Sequence, residues 1–211
     1  MKNVVKISML MVIIAIAIVS CSKDDKEGKE KVKLESGAFN GRVVATVEGS
    51  SAIDDKIDYV VASSDLVITT SQVNYTYLGH GEYKSGGFTI NLEAPESNKL
   101  SDIGDFFQNV LKVSGKVNYS NKDAQVTFIL DFLALVEVSE ELYMQGTFRN
   151  RTSDGTTMCV FVYTDSDVDA TASPNITVSL KKGWNRLYYS SGKNEITTKN
   201  ESDTKWYYTS H

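Results

Sequence analysis

From Gly41 to the end of the chain, apolar and polar residues take turns. Val73-Asn74-Tyr75-Thr76-Tyr77 and Phe88-Thr89-Ile90-Asn91-Leu92 repeat with a period of two, and so does the run from Val126 to Phe132, where Ile129 makes the second face partly apolar too. That is the period at which the side chains of an extended strand return to one face. Segments 42–48, 56–62, 66–70, 115–119, 142–149, 156–164, 177–180, 185–189, 195–198 and 205–209 read as strands on the same grounds. Turn signals separate them, at Gly86-Gly87, Asn121-Lys122-Asp123, Ser153-Asp154-Gly155 and Ser190-Ser191-Gly192. The Asp154-Gly155 pair predicts a two-residue type I′ turn and hence a hairpin over 142–164.

One stretch departs from this rhythm. Leu100, Ile103, Phe106, Phe107, Val110 and Leu111 recur at spacings of three and four, the stripe of an amphipathic helix. Ser101 is placed to cap it and Gly115 to stop it, which predicts about three turns of helix. The expected fold is therefore all-β, an antiparallel β-sandwich, immunoglobulin-like or related, with one amphipathic helix. A closed β-barrel with a helical lid is the alternative.

The N-terminus has a different character. Lys2 and Lys6 precede an uncharged apolar run from Ile7 to Val19. This is the positive and apolar pattern of an export signal, too short for a comfortable permanent span. It ends in Ile18-Val19-Ser20-Cys21. These four residues resemble the lipobox of bacterial lipoproteins, which implies cleavage before Cys21 and lipidation of its thiol. Ser22-Lys23-Asp24-Asp25 is similar to the acidic export signal that follows the lipidated cysteine in surface lipoproteins of Bacteroidetes. The later "GGFTINL", "VSLKKGWNRLYY" and "KWYY" stretches resemble the same broad group more loosely. The resemblance implies a protein held to the cell outer membrane by its lipid and facing the exterior. It also implies a role in capture, adhesion or envelope assembly rather than a particular reaction.

The expected organisation is a signal peptide over 1–20, the lipidated Cys21 and a charged flexible tether over 21–36, and a single β-rich domain over 37–211. Residues 22–36 alternate Lys with Asp and Glu and lack apolar area to offset the entropy of ordering. The formal net charge of −5 gives no electrostatic ground for binding nucleic acid. Of the two cysteines, lipidation occupies Cys21, so no intramolecular disulfide is expected. Cys159 sits in Met158-Cys159-Val160-Phe161-Val162-Tyr163, where a cysteine acts as a small apolar residue of a buried strand.

Catalytic chemistry finds little to work with. The two histidines are His80, in a Leu78-Gly79-His80-Gly81 stretch that reads as a hairpin turn, and the terminal His211, and there is no G-x-S-x-G elbow. A conventional zinc site needs three or four His and Cys ligands. Asp165-Ser166-Asp167-Val168-Asp169 begins like a calcium loop, but Ala170 stands where the turn needs Gly and Ile176 where a bidentate Glu belongs. Glu140-Glu141 reads as loop charge. No catalytic residue, metal site or cofactor is expected.

Binding finds more. Both tryptophans and four tyrosines fall near the C-terminus, in Gly183-Trp184-Asn185-Arg186-Leu187-Tyr188-Tyr189 and Lys205-Trp206-Tyr207-Tyr208. Trp184, Tyr188, Trp206 and Tyr208 are the candidate ligand-binding residues, able to stack on a sugar ring or anchor a protein if exposed. The competing reading, favoured by the need of alternating strands for large residues inside, makes the tryptophans core. The expected function is a non-catalytic binding or structural module for a glycan, a host molecule or an envelope protein. A lipocalin-like carrier of a small apolar ligand is the alternative, and a glycan-active enzyme with a carboxylate pair the more distant one.

Overall fold

The computed structural model describes residues 35–53, 56–68, 73–172, 176–199 and 203–211. Cys21 and Ser22-Lys23-Asp24-Asp25, with the signal peptide expected over 1–20, lie outside them. Fifteen strands follow in chain order: β1 (Arg42–Thr46), β2 (Tyr59–Ile68), β3 (Val73–Lys84), β4 (Gly87–Asn91), β5 (Ser101–Asp102), β6 (Asn118–Tyr119), β7 (Gln125–Ile129), β8 (Phe132–Val138), β9 (Glu141–Arg151), β10 (Thr157–Thr164), β11 (Val168–Ala172), β12 (Ile176–Leu180), β13 (Gly183–Ser190), β14 (Glu195–Thr197) and β15 (Lys205–Ser210). Among the described residues the fold is an all-β sandwich with a single short helix. The strand path runs β1-β4-β3-β2-β8-β9-β10-β13-β14-β12-β11-β6. It does not close, so the barrel alternative is not formed. Between β1 and β15 there is one bridge, Val47 to Trp206, in place of a ladder.

The middle of the path is buried on both faces. Cys159 and Phe161 of β10 point into one apolar core, and Val160 and Val162 into a second. The neighbouring β13 does the same, with Trp184 and Tyr188 on the first side and Leu187 on the second. A strand covered twice has no use for alternation, which is why "TMCVFVY" reads as a continuous apolar run. Residues of β1–β4, β8, β9 and β15 fill the first core, and those of β11, β12 and the helical segment the second.

Several local expectations change. The helical segment is short, an α turn over Ile103–Asp105 running into a π turn over Phe106–Val110. Its cap is Asp102 rather than Ser101, with Asp102 Oδ1 accepting a hydrogen bond from Gly104 N at 2.6 Å. The anticipated stripe is nevertheless the buried one: Ile103, Phe106, Phe107 and Leu111 all lie in the second core. Ser36, expected in the tether, bridges Ser179, and the Thr198 hydroxyl donates to the Glu35 carbonyl.

The turn at Asp154-Gly155 exists, but β9 and β10 pair only at Arg151 and Met158 before parting, β9 to β8 and β15 and β10 to β7 and β13. Only Gly155 of the pair has positive φ, at 72°. The Asp154 carboxylate accepts from the Thr152 and Thr156 hydroxyls and from Thr156 N, so the loop is wider than a type I′ turn. True two-residue turns, with positive φ at both central residues, occur at Ser85-Gly86 and at Ser139-Glu140. Nor is Leu78-Gly79-His80-Gly81 a turn. It lies inside β3, where a Cβ on Gly81 would meet the Thr89 carbonyl oxygen at 2.2 Å, so glycine permits β4 to cross close by.

Candidate functional site

The four candidate binding aromatics are where an exposed platform cannot be. Trp206 is 7% exposed, with ring centroids of Phe88 and Phe132 at 5.1 and 5.2 Å and Phe161 stacked at 5.9 Å. Trp184 is buried, and its indole N–H donates to the Glu93 carbonyl at 3.2 Å. Tyr188 is buried beside Cys159, and burial pushes its phenol up to about 12. Tyr208 is half-buried against Phe148 and donates to the Gln145 carbonyl at 2.9 Å. The reason is register: each of the four sits on the inward phase of its strand, where its ring packs in the first core.

The other candidates are also accounted for. Burial pushes the Cys159 thiol up to about 12, far from a reactive thiolate. His80 is exposed and its Nδ1 is hydrogen-bonded to the Tyr77 hydroxyl. The acidic loop spreads its carboxylates: Asp165 accepts from Gln125 N, and Asp167 from Lys181 Nζ and Lys182 N at 2.8 and 2.9 Å. Among the described residues no three His, Cys, Asp or Glu side chains gather as metal ligands.

The feature that stands out was not visible in the turn signals. Five large apolar side chains are exposed among the described residues, and three of them, Val138 (52%), Leu142 (56%) and Tyr143 (48%), share the tip of the β8–β9 hairpin. Scattered exposed residues need no explanation, whereas a cluster does. The register, Val138 opposite Glu141 and Val136 opposite Tyr143, puts Val138 and Tyr143 on one face of the hairpin. Leu142 is on the other, beside Met144. That second face continues inward to a small apolar cluster of Val61, Leu133 and Leu135. The tip is thus apolar on both faces. The sequence signal is "LALVEVSEELYM", two apolar runs about a turn that lacks glycine.

Beside the tip lies an open groove of about 510 Å³, lined among others by Asp58, Tyr59, Glu82, Lys84, Glu137 and Glu140. Its hydrogen bonds tie the hairpin to the rest of the domain. Asp58 Oδ2 accepts from Glu137 N at 2.8 Å, and the Tyr59 hydroxyl donates to Glu137 Oε2 at 3.1 Å. The Glu137 carboxylate, by that hydrogen bond and by its charge, raises the Tyr59 phenol, with smaller contributions from Glu82 and Asp58. Lys84 is ion-paired to Glu82 and holds that carboxylate below the usual range. Four carboxylates against one ammonium make this groove a place for positive charge. A smaller cavity of about 120 Å³ is lined by Tyr188, Ser190 and Glu195 with two lysines, Lys193 and Lys199.

No family model, curated protein or solved structure matches the chain.

Proposed function

We propose that the chain is a lipid-anchored, non-catalytic binding module of the cell surface that engages a protein partner through the β8–β9 hairpin. The anchor and export parts of this reading rest on Ile18-Val19-Ser20-Cys21 and Ser22-Lys23-Asp24-Asp25. The observation that carries the binding part is the concentration of Val138, Leu142 and Tyr143 at one hairpin tip. These side chains are about half exposed, so leaving them in water forfeits burial worth roughly 1 kcal/mol each, and a partner that covers them recovers it. With the tryptophans inside, the aromatic stacking surface expected for a glycan is not at the candidate positions, which favours a protein.

The test is site-specific photocrosslinking in intact cells, with p-benzoylphenylalanine in place of Tyr143 and, as control, in place of Lys122, followed by protease shaving. The expected result is a discrete adduct at position 143 and none at 122, on a domain that external protease removes. An absence of adducts at position 143 overturns the binding reading. Survival of the domain until the cells are lysed overturns its surface location.

A further inference from the structure

The hairpin that carries the exposed apolar residues also carries an open strand edge. In a two-residue hairpin the closing pair, here Val138 and Glu141, exchanges main-chain hydrogen bonds, so the next pair, Glu137 and Leu142, turns its N–H and C=O groups outward. Two residues further on, Leu135 and Met144 do the same. On the β8 side these groups are used: Asp58 N donates to the Leu135 carbonyl at 2.9 Å, and Glu137 N donates to the Asp58 carboxylate. On the β9 side, β15 covers the edge only as far as Ser210 opposite Gly146 and His211 N on the Gln145 carbonyl. Among the described residues no strand pairs with Glu141–Met144 along that side. Such an edge, in line with β15 and backed by an existing sheet, is a template for one more strand.

The side chains around the edge define what such a strand must present. Along β9, Leu142 and Met144 share one face and call for apolar neighbours, while Glu141 and Tyr143 share the other. Glu141 on the strand itself and Glu140 of the turn, both exposed, call for positive charge. We infer that the Glu141–Met144 edge of β9 binds an extended segment of a partner protein, a strand in which Lys or Arg alternates with apolar residues. Main-chain pairing supplies affinity and the alternating side chains supply selection. A second copy of this chain fits the edge poorly. Pairing it with itself about Tyr143 brings the carboxylates of two acidic hairpins, each on a chain of net charge −5, onto one interface.

The inference rests on the hairpin being the binding surface and is tested separately from it. The full-length lipoprotein in detergent micelles is titrated into a fluorescein-labelled decapeptide of five Lys-Val repeats and followed by anisotropy. Parallel titrations use the Glu-Val decapeptide and a Lys-Val decapeptide with all its backbone amides N-methylated. The expected result is at least tenfold tighter binding of the Lys-Val peptide than of either comparator. A Glu140→Lys, Glu141→Lys double variant, altered only at exposed positions, is expected to lose that preference by tenfold or more. Leu142→Pro, checked for folding by circular dichroism, is expected to weaken binding by a similar factor because it removes an outward N–H.

Failure of the Lys-Val peptide to bind overturns the inference. So does equal binding of the N-methylated peptide, which means charge alone, and so does a dimer of the chain that Leu142→Pro dissolves, which makes the occupant a second copy. An adduct at position 143 in cells, with no Lys-Val binding, leaves the binding module standing and removes strand addition. Loss of both removes both.

Discussion

Phe148 and Tyr143 lie five residues apart on the same strand, and the first is fully buried while the second is 48% exposed. Phe148 stacks on Tyr83 and packs on Phe88 and Tyr208, whereas the Tyr143 hydroxyl reaches only back to Glu141. The difference lies in the neighbours of β9. At Phe148 the strand has β8 on one side and β15 on the other; at Tyr143 it has β8 alone. Apolar alternation says that one face of a strand is suited to burial. It does not say that another element will arrive to cover it, and where β2 and β15 stop, the hairpin continues without them.

If this contrast is correct, truncation inside and truncation at the tip separate cleanly. Phe132→Ala, which removes a fully buried ring in contact with Phe88, Phe161 and Trp206, is expected to cost about 3–5 kcal/mol in urea unfolding. A smaller effect is expected from Asn185→Ala. This fully buried amide accepts from Lys181 N and donates to the Lys181 and Gly183 carbonyls, holding the β12–β13 turn. Its loss is expected to lower stability by about 1–3 kcal/mol, and a value within error of zero sinks this account of the turn.

Alkaline pH gives a third measure of the interior. The Cys159 thiol ordinarily ionises near 9.0, and burial moves it to about 12 in the folded chain. Between these values the unfolded chain gives up a proton that the folded chain keeps, so stability falls as pH rises, by at most about 1.4 kcal/mol per pH unit for one group. Tyr188, shifted from 10.0 to about 12, adds to the slope from pH 10 upward. Below pH 9 neither contributes. Urea titrations at pH 8, 9.5 and 10.5 are expected to show the decline, and Cys159→Ala to make it shallower. The smallest effect belongs to the tip. Leu142→Ser is expected to change stability by no more than about 0.5 kcal/mol while abolishing the adduct formed by p-benzoylphenylalanine at position 143 in cells. A cost of 2 kcal/mol or more means that the tip is part of the core after all.

The strands themselves were largely legible. Thr157–Thr164, Gly183–Ser190 and Lys205–Ser210 lie within a residue or two of their expected bounds, because period and β-branched content are local properties. Phe132–Val138 was not, since Leu130-Asp131 interrupts an apolar run that reads as one strand, and the chain turns there with Asp131 bound by the Arg149 guanidinium. The burial of Trp184, Tyr188 and Trp206 was left open by the sequence for a related reason. An aromatic on an alternating strand looks the same in sequence whether its phase points to the core or to water, and only the pairing of β13 and β15 with distant strands sets that phase.

By itself the sequence determined an all-β chain with one helical interruption and a buried Cys159, and it places at the N-terminus four residues, Ile18-Val19-Ser20-Cys21, that resemble a lipobox. Each of these follows from neighbours within about ten positions, through side-chain period, turn chemistry or a contiguous motif. Tertiary structure alone decided that β10 and β13 would be covered on both faces, that β9 and β10 would part after one pair, and that the Ser139-Glu140 hairpin would outrun the strands beside it. Those outcomes depend on pairings between residues as far apart as Tyr59 and Leu135 or Gly146 and Ser210. A local pattern sets which face of a strand can be buried; long-range pairing sets which strand lies beside it and where that neighbour ends.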